Sequence, residues 1–282
     1  MITIVADTTC GLSRKRLEEL EIPFLPQIIV FGEESYRDDY EIDTPTFLKK
    51  LRAASSLPKT AAPPPDLYKP VYDKFGGKGN TIIVITPSAE VSGTARSATV
   101  AAQEYPDSDI RVIDTRTIAG GLGSMVVQAH AWAKAGLDAD TIVARVKDMA
   151  SRERCFFVVD TLEYLYKGGR IGGAKALFGS ILQIKPILTL SDGRTEPVES
   201  QRTRVKALSR LKELITAEMP HDESALLTFS HCEAADVADE LAAYFSQAFG
   251  IKDIPIYEVP PAIVVHGGPK IISASYFRAP KA

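Results

Sequence analysis

Apolar and polar positions alternate between strand-like and helix-like spacing along the first half of the chain. Ile2 to Ala6 is a short β-branched run closed by Asp7, Thr8 and Thr9. The charged helical stretch Arg14 to Leu20 follows, and then Phe24 to Phe31 reads as one further buried strand. Pro45 to Ala54 predicts a helix with Thr44 as its N-cap and Pro45 in the first turn, where a missing N–H costs nothing. Pro58, Pro63, Pro64 and Pro65 predict a restrained, extended loop from Leu57 to Pro65, ahead of a helical pattern from Leu67 to Phe75. Thr81 to Ile85 has the strongest strand pattern, because five β-branched residues stand between turn residues. Ala95 to Ala102 then predicts a helix, Ile110 to Ile113 a strand, and Gly123 to Lys134 a longer helix that stops at Gly136. This order predicts a three-layer, mostly parallel α/β domain with its ligand loops beyond the carboxyl ends of the strands.

Leu137 to Ala150 supplies another helix, and a new strand at Cys155 to Val159 opens a second domain. The expected division is 1–150 and 151–282, in keeping with a length of 282 residues. The second half shows a glycine-rich loop around Gly168 and Gly169, a helix from about Gly173 to Gly179, and strands Ile184 to Leu190 and Thr195 to Glu199 joined by a turn. Helix Arg204 to Glu218, strand Ser224 to Ser230, helix Ala234 to Phe249 and strands Ile256 to Val259 and Ile271 to Phe277 complete it. Helices packed on one face of a mixed sheet, a two-layer α+β arrangement, are expected here.

Composition narrows the function classes. With 45% hydrophobic residues, 24% charged residues and a net charge of -3, the chain has the apolar content of a folded protein and lacks the basic excess of a nucleic-acid binder. Arg202, Arg204, Lys206, Arg210 and Lys212 are interleaved with Glu196, Glu199 and Glu213, which reads as a solvated helix surface. Met1 to Asp7 lacks the features of a secretion signal, and Gly179, Lys185 and Pro186 interrupt the apolar stretch Leu177 to Leu190, so neither export nor a membrane span is expected. Three scattered cysteines, Cys10, Cys155 and Cys232, argue against a disulfide framework and fit a reducing, cytoplasmic location. Neither a metal nor a cofactor is indicated, since the four histidines and the cysteines form no ligand spacing.

Four polar stations could form a site. In Pro58-Lys59-Thr60-Ala61-Ala62-Pro63, the prolines restrict the backbone around the Thr60 hydroxyl. In Val91-Ser92-Gly93-Thr94, Ser92 and Thr94 offer hydroxyls, Gly93 allows close backbone approach, and the following helix start can aim N–H groups at a carboxylate or phosphate. A third station is the loop His266-Gly267-Gly268-Pro269 after the apolar run Ile263 to Val265, where small residues give access to the imidazole. The fourth, Leu162 to Gly173, uses glycines to expose Arg170, whose guanidinium suits an anionic head group or an acidic partner. Each has a structural reading as well: a helix cap for Ser92, a turn residue for Thr60, a surface or core residue for His266, and a hinge arginine for Arg170. A hydrolase or phosphotransfer enzyme built on Asp7, Ser92, Asp114 and His266 remains an alternative, although Ser92 sits in no Gly-x-Ser-x-Gly elbow and no ATP-binding loop exists. A non-catalytic interaction module is the other.

Taken together, Ile4-Val5-Ala6-Asp7-Thr8-Thr9, the Pro58 to Pro63 loop, Ser92-Gly93-Thr94, Thr161 to Leu165 with Lys167 to Ile171, Lys185-Pro186-Ile187-Leu188 and His266-Gly267-Gly268-Pro269 resemble the DegV family of bacterial fatty-acid-binding proteins. The resemblance implies a non-catalytic carrier that encloses a long-chain fatty acid such as palmitate in an interdomain tunnel. It implies that Thr60, Ser92, Gly93, Thr94, His266 and Gly267 surround the carboxylate, with Arg170 and His266 at the rim. It also implies a partner, an ATP-dependent fatty acid kinase that makes an acyl phosphate for phospholipid metabolism. The chain departs from the family's Thr-Ser-Gln-Pro pattern with Thr60-Ala61-Ala62-Pro63, and from His-Thr-Gly-Pro-Gly with His266-Gly267-Gly268-Pro269-Lys270.

Overall fold

Strand β1 (Ile2–Asp7) lies between a two-residue strand β2 (Phe24–Leu25) and β6 (Thr81–Thr86), and β7 (Asp109–Asp114) completes a four-stranded parallel sheet in the order β2-β1-β6-β7. The computed structural model describes residues 1–178 and 184–280. They fall into two compact units, Met1–Ser151 with Pro260–Ala262, and Arg152–Val259 with Ile263–Ala282.

In the first unit the run Phe24 to Phe31 is not one strand. Pro26 and Gln27 break it, and the second piece, β3 (Ile28–Phe31), leaves for another sheet. There it pairs antiparallel with β4 (Glu34–Arg37) and with β5 (Lys59–Ala61). The proline-restrained loop therefore contains a strand, because the extended backbone that prolines impose is also a strand conformation and β3 offers a free edge. Between the strands run α1 (Arg14–Glu19), α2 (Thr44–Ala53), α3 (Lys69–Phe75), α4 (Thr94–Ala102), α5 (Ala119–Lys134) and α6 (Ala139–Arg152). The N-cap of α2 is Asp43, whose carboxylate accepts the Thr46 N–H at 2.8 Å, one position before the expected Thr44. Val5, Ile82 and Val84 on one face of the parallel sheet pack with Tyr68, Tyr72, Ala98 and Ala101 from α3, α4 and the turn before α3. The alternate residues Ile4, Ile83 and Ile85 are equally buried on the other face, where α5 lies along β1 and β6.

The second unit is a six-stranded mixed sheet in the order β10-β9-β8-β13-β11-β12. Its strands are β8 (Glu153–Val158), β9 (Lys185–Ser191), β10 (Arg194–Gln201), β11 (Thr228–His231), β12 (Ile256–Glu258) and β13 (Ile272–Phe277). Every pairing is antiparallel except β11 with β12. Its helices are α7 (Glu163–Lys167), α8 (Arg204–Glu218), α9 (Ala235–Phe249) and, from Ile263 onward, α10 (Pro261–Gly267). Leu211 and Ile215 of α8 and Leu241 and Phe245 of α9 share a core with Phe156, Ile187, Phe229 and Tyr276 of the sheet, so both helices cover one face, as expected. The expected strand Ser224 to Ser230 starts later, since Glu223–Ala225 is a 3₁₀ turn. The end of the expected helix at Gly179 lies outside the described residues.

Among the described residues no helix is long and apolar enough to cross a membrane, and no group of His, Cys, Asp or Glu could hold a metal ion. The three cysteines are buried, and none forms a disulfide among the described residues. Two members of the basic cluster are paired locally, Arg210 with Glu199 and Glu213 and Lys212 with Glu240, while Arg204 donates to the Lys270 carbonyl.

Candidate functional site

Strand β1 ends at Asp7, which is 1% exposed and caps the turn Thr8–Cys10 by accepting the Thr9 N–H at 3.0 Å and the Thr9 hydroxyl at 2.5 Å. Its second oxygen accepts Gln27 Nε2 at 2.6 Å and the Thr94 hydroxyl at 3.1 Å. Gln27 Nε2 also reaches Thr94 Oγ1 at 2.8 Å, and Ser92 Oγ stands 2.9 Å from the same oxygen. With the Thr94 proton directed at Asp7, the two lone pairs of Thr94 are left for Gln27 and for a proton from Ser92. Ser92 Oγ in turn accepts the Thr94 N–H at 3.3 Å, so the hydroxyl at the start of α4 is held in place by a chain of hydrogen bonds that ends on a buried carboxylate. Burial raises the pKa of Asp7, against the lowering effect of its bonds from Thr9, Gln27 and Thr94.

The Thr60 station lies beside this one. Thr60 is in β5, paired with Ile29, and the chain continues to Ala62 and Pro63. A Cβ on Gly93 would stand 3.4 Å from the Ala62 methyl, and Ser97 of α4 donates its hydroxyl to the Pro63 carbonyl. Two of the four stations are thus joined within the first unit, at the carboxyl end of β6 and the amino end of α4. The first-turn N–H groups of α4 have no intrahelical acceptor and carry the positive end of the helix dipole.

The other two stations meet within the second unit. Helix α7 ends with Gly169 at φ +71°, and the Arg170 N–H returns to the Leu165 carbonyl at 2.9 Å, a closure that favours glycine at that position. Arg170 Nη1 donates to the Gly168 carbonyl at 2.8 Å. His266 does not lie in a loop: the apolar run before it is the body of α10, opened by Pro261, and His266 occupies its last turn. A Cβ on Gly168 would collide with His266 Nδ1, and one on Gly268 would come within 2.5 Å of the Tyr164 ring, so these glycines are what let α7 and the end of α10 touch. Burial, reinforced by the Arg170 charge, lowers the pKa of His266 to about 4, so the imidazole is neutral at neutral pH.

Two polar residues beside the first cluster lie outside the four stations. Gln27 was hidden in an apolar run, where a lone amide after Pro26 was the one available signal. Asp38, fully buried, accepts the Thr8 hydroxyl and the Ala262 N–H, and burial pushes its pKa up to about 7. It sits in the charged string Arg37-Asp38-Asp39, which carries no sign of burial. Asp114 accepts backbone N–H groups of Ala89 at 3.2 Å and Arg116 at 2.9 Å, so its role is to shape the turn after β7.

The model of the DegV family matches residues 1–279. A DegV domain-containing protein of Streptomyces coelicolor is 36% identical over 273 residues, covering 96% of each chain. Among solved structures, a fatty-acid-binding DegV family protein from Thermus thermophilus superposes with a TM-score of 0.90 at 28% identity, covering 99% of each chain. A DegV family protein from Eubacterium eligens, loaded with heptadecanoic acid, superposes with a TM-score of 0.84 at 25% identity over 99% of this chain and 100% of that one. With a parallel-sheet unit, a mixed-sheet unit and a match along nearly its whole length, the chain belongs to the DegV family.

Proposed function

We propose that this chain binds a long-chain fatty acid, with Thr60, Ser92, Gly93 and Thr94 as the carboxylate site in the first unit, and His266, Gly267 and Arg170 as head-group determinants in the second. The observation that supports this most is the Ser92–Thr94 hydroxyl pair at the first turn of α4, in a chain whose fold matches that of a protein loaded with heptadecanoic acid. About fourteen buried methylenes yield a gross ~11 kcal/mol at ~0.8 kcal/mol each, before ordering costs, so the tail dominates affinity. The head needs donors, since an unpaired buried carboxylate costs several kcal/mol. Ser92 supplies one by turning its proton from Thr94 to the ligand, while Thr94 keeps its bonds to Gln27 and Asp7.

The chain supplies no nucleophile in this reading. It presents the carboxylate to an ATP-dependent fatty acid kinase, and the acyl phosphate enters phospholipid synthesis. Arg170, a permanent cation, offsets the negative charge of the carboxylate and of the incoming phosphoryl group, whereas neutral His266 donates or accepts a hydrogen bond without adding charge.

Native mass spectrometry of the purified chain, followed by release of the ligand, tests the binding: a mass excess matching a long-chain acid is expected. A ligand-free protein whose thermal stability does not respond to added fatty acid would remove the reading. A double-mutant cycle between Ser92→Ala and His266→Ala reports whether both clusters act on one ligand, which predicts a coupling above about 0.5 kcal/mol in binding. Acyl phosphate formed on adding a fatty acid kinase subunit and ATP to the loaded chain, and lost in Arg170→Ala, tests the presentation step.

A further inference from the structure

The outer edge of β1 (Ile2–Asp7) is covered by β2 at only two of its six residues. Thr81 donates to the Met1 carbonyl, so Met1, Thr3 and Val5 direct their backbone groups at β6, and the intervening Ile2, Ile4 and Ala6 direct theirs at the opposite side. There Ala6 N–H finds the Pro23 carbonyl, but β2 pairs with β1 at Ala6 and Asp7 alone. Two features of the chain stop the ladder. The next bond would run from residue 23 to the Ile4 carbonyl, and Pro23 has no N–H to give. One residue earlier, Glu21 at φ +56° and the Ile22 N–H, bonded to the Leu17 carbonyl at 2.9 Å, tie that segment to the end of α1.

Among the described residues, the N–H and C=O groups of Ile2 and Ile4 on this side therefore have no strand partner. They face a cleft of about 900 Å³ that lies wholly in the first unit. Val71 and Phe75 of α3 form one wall, His130 and Ala133 of α5 the other, and Ile22 and Phe24 close the upper end. Lys74 stands at the rim over the Phe75 ring at 4.9 Å and makes no ion pair among the described residues, whereas Lys134 is paired with Glu21.

We propose that this cleft takes up an extended peptide segment of a partner protein, which adds a strand to β1 below Pro23. Donors and acceptors that alternate along a strand edge, two residues or ~6.6 Å apart, are matched by another peptide backbone and not by an acyl chain or a phosphate. Apolar side chains of the added strand, alternating in direction, pack on the walls from α3 and α5, and an acidic residue meets Lys74. This site is independent of the fatty acid reading: it uses the amino end of β1, whereas the Asp7–Thr94 network is built at the carboxyl end.

A random heptapeptide display library, selected on the full chain, tests it. Enriched peptides with alternating β-branched residues and an acidic position are expected, and their binding should slow hydrogen exchange at the Ile2 and Ile4 amides at least tenfold. Ile2→Pro removes one outward-facing donor and leaves the β6 ladder intact, because Ile2 does not bond to β6. It should weaken the selected peptides at least tenfold, and Lys74→Glu should weaken the acidic ones. If no selected peptide protects those two amides, or if peptides bind Ile2→Pro as tightly as the native chain, the added-strand site does not exist.

Discussion

Thr94 donates its hydroxyl to Asp7 at 3.1 Å across 87 positions of sequence, and both side chains are 1% exposed. This bond ties the first turn of α4 to the end of β1, and through Thr94 it fixes the neighbouring Ser92. Replacing Thr94 with valine keeps the volume and removes a donor from Asp7 and an acceptor from Gln27. The expected cost is about 1–3 kcal/mol of stability, because buried polar groups are left short of partners. Ser92→Ala, at a partly exposed position, should cost less than about 1 kcal/mol and act mainly on fatty acid retention. Denaturant unfolding with and without added fatty acid separates the two effects; equal stability losses in both variants would contradict this division.

The strands were legible where β-branched residues concentrate. Thr81 to Ile85 and Ile2 to Ala6 could hardly pack as anything else, and α8 begins at the expected Arg204 because Thr203 caps it, accepting the Lys206 N–H at 3.2 Å, and ends at the expected Glu218 where Met219 turns extended. One failure depended on a partner distant in sequence: Lys59–Ala61 is a strand because β3 lies beside it, which has no local signature. The other had a local sign that was passed over, since Pro261 starts the helix that holds Ile263 to His266. The candidate site was legible as four separate runs, since hydroxyls, glycines and charges beside prolines stand out. Which runs meet was not, because the contacts of Gly93 with Ala62 and of Gly168 with His266 depend on tertiary packing.

Gly168 has φ −78°, which any residue adopts, so its requirement is purely steric. Gly168→Ala would place a methyl against His266 Nδ1 and the Tyr164 carbonyl. A loss of about 1–3 kcal/mol is expected as α7 and α10 move apart, together with a His266 pKa closer to its ordinary value. Thermal unfolding and an NMR titration of the imidazole check both; an unchanged His266 would show that the two helices yield without disturbing it.

Lys270 stands where the family pattern carries glycine, and its backbone has φ +61°, in the left-handed region. The Arg204 guanidinium donates to the Lys270 carbonyl at 2.7 Å and helps hold that conformation. Lys270→Gly should stabilise the chain by up to about 1 kcal/mol, the relief of backbone strain exceeding the added freedom of the unfolded chain. A lower melting temperature in this variant would mean that the lysine side chain contributes more than its backbone costs.

Two buried groups give stability opposite pH dependences. Asp38 is raised from 3.8 to about 7, chiefly by burial, so the folded chain keeps its proton where the unfolded chain has lost it. Its contribution is fully present below about pH 4 and is lost as pH rises to about 7; the gap corresponds to roughly 4 kcal/mol at most. His266 is lowered from 6.5 to about 4, so below pH 6.5 the unfolded chain takes up a proton that the folded chain refuses. Its contribution is present above pH 6.5 and is lost as pH falls to about 4, on the order of 3 kcal/mol at most. Asp38→Asn should therefore be more stable than the native chain at pH 8 and should flatten the decline between pH 4 and 7. His266→Asn should flatten the loss on acidification from pH 6.5 to 4. Urea unfolding of both variants across pH 4 to 8 measures each slope, and a native pH dependence retained in Asp38→Asn would mean that its carboxylate is charged in the folded chain, stabilised by the Thr8 hydroxyl and the Ala262 N–H.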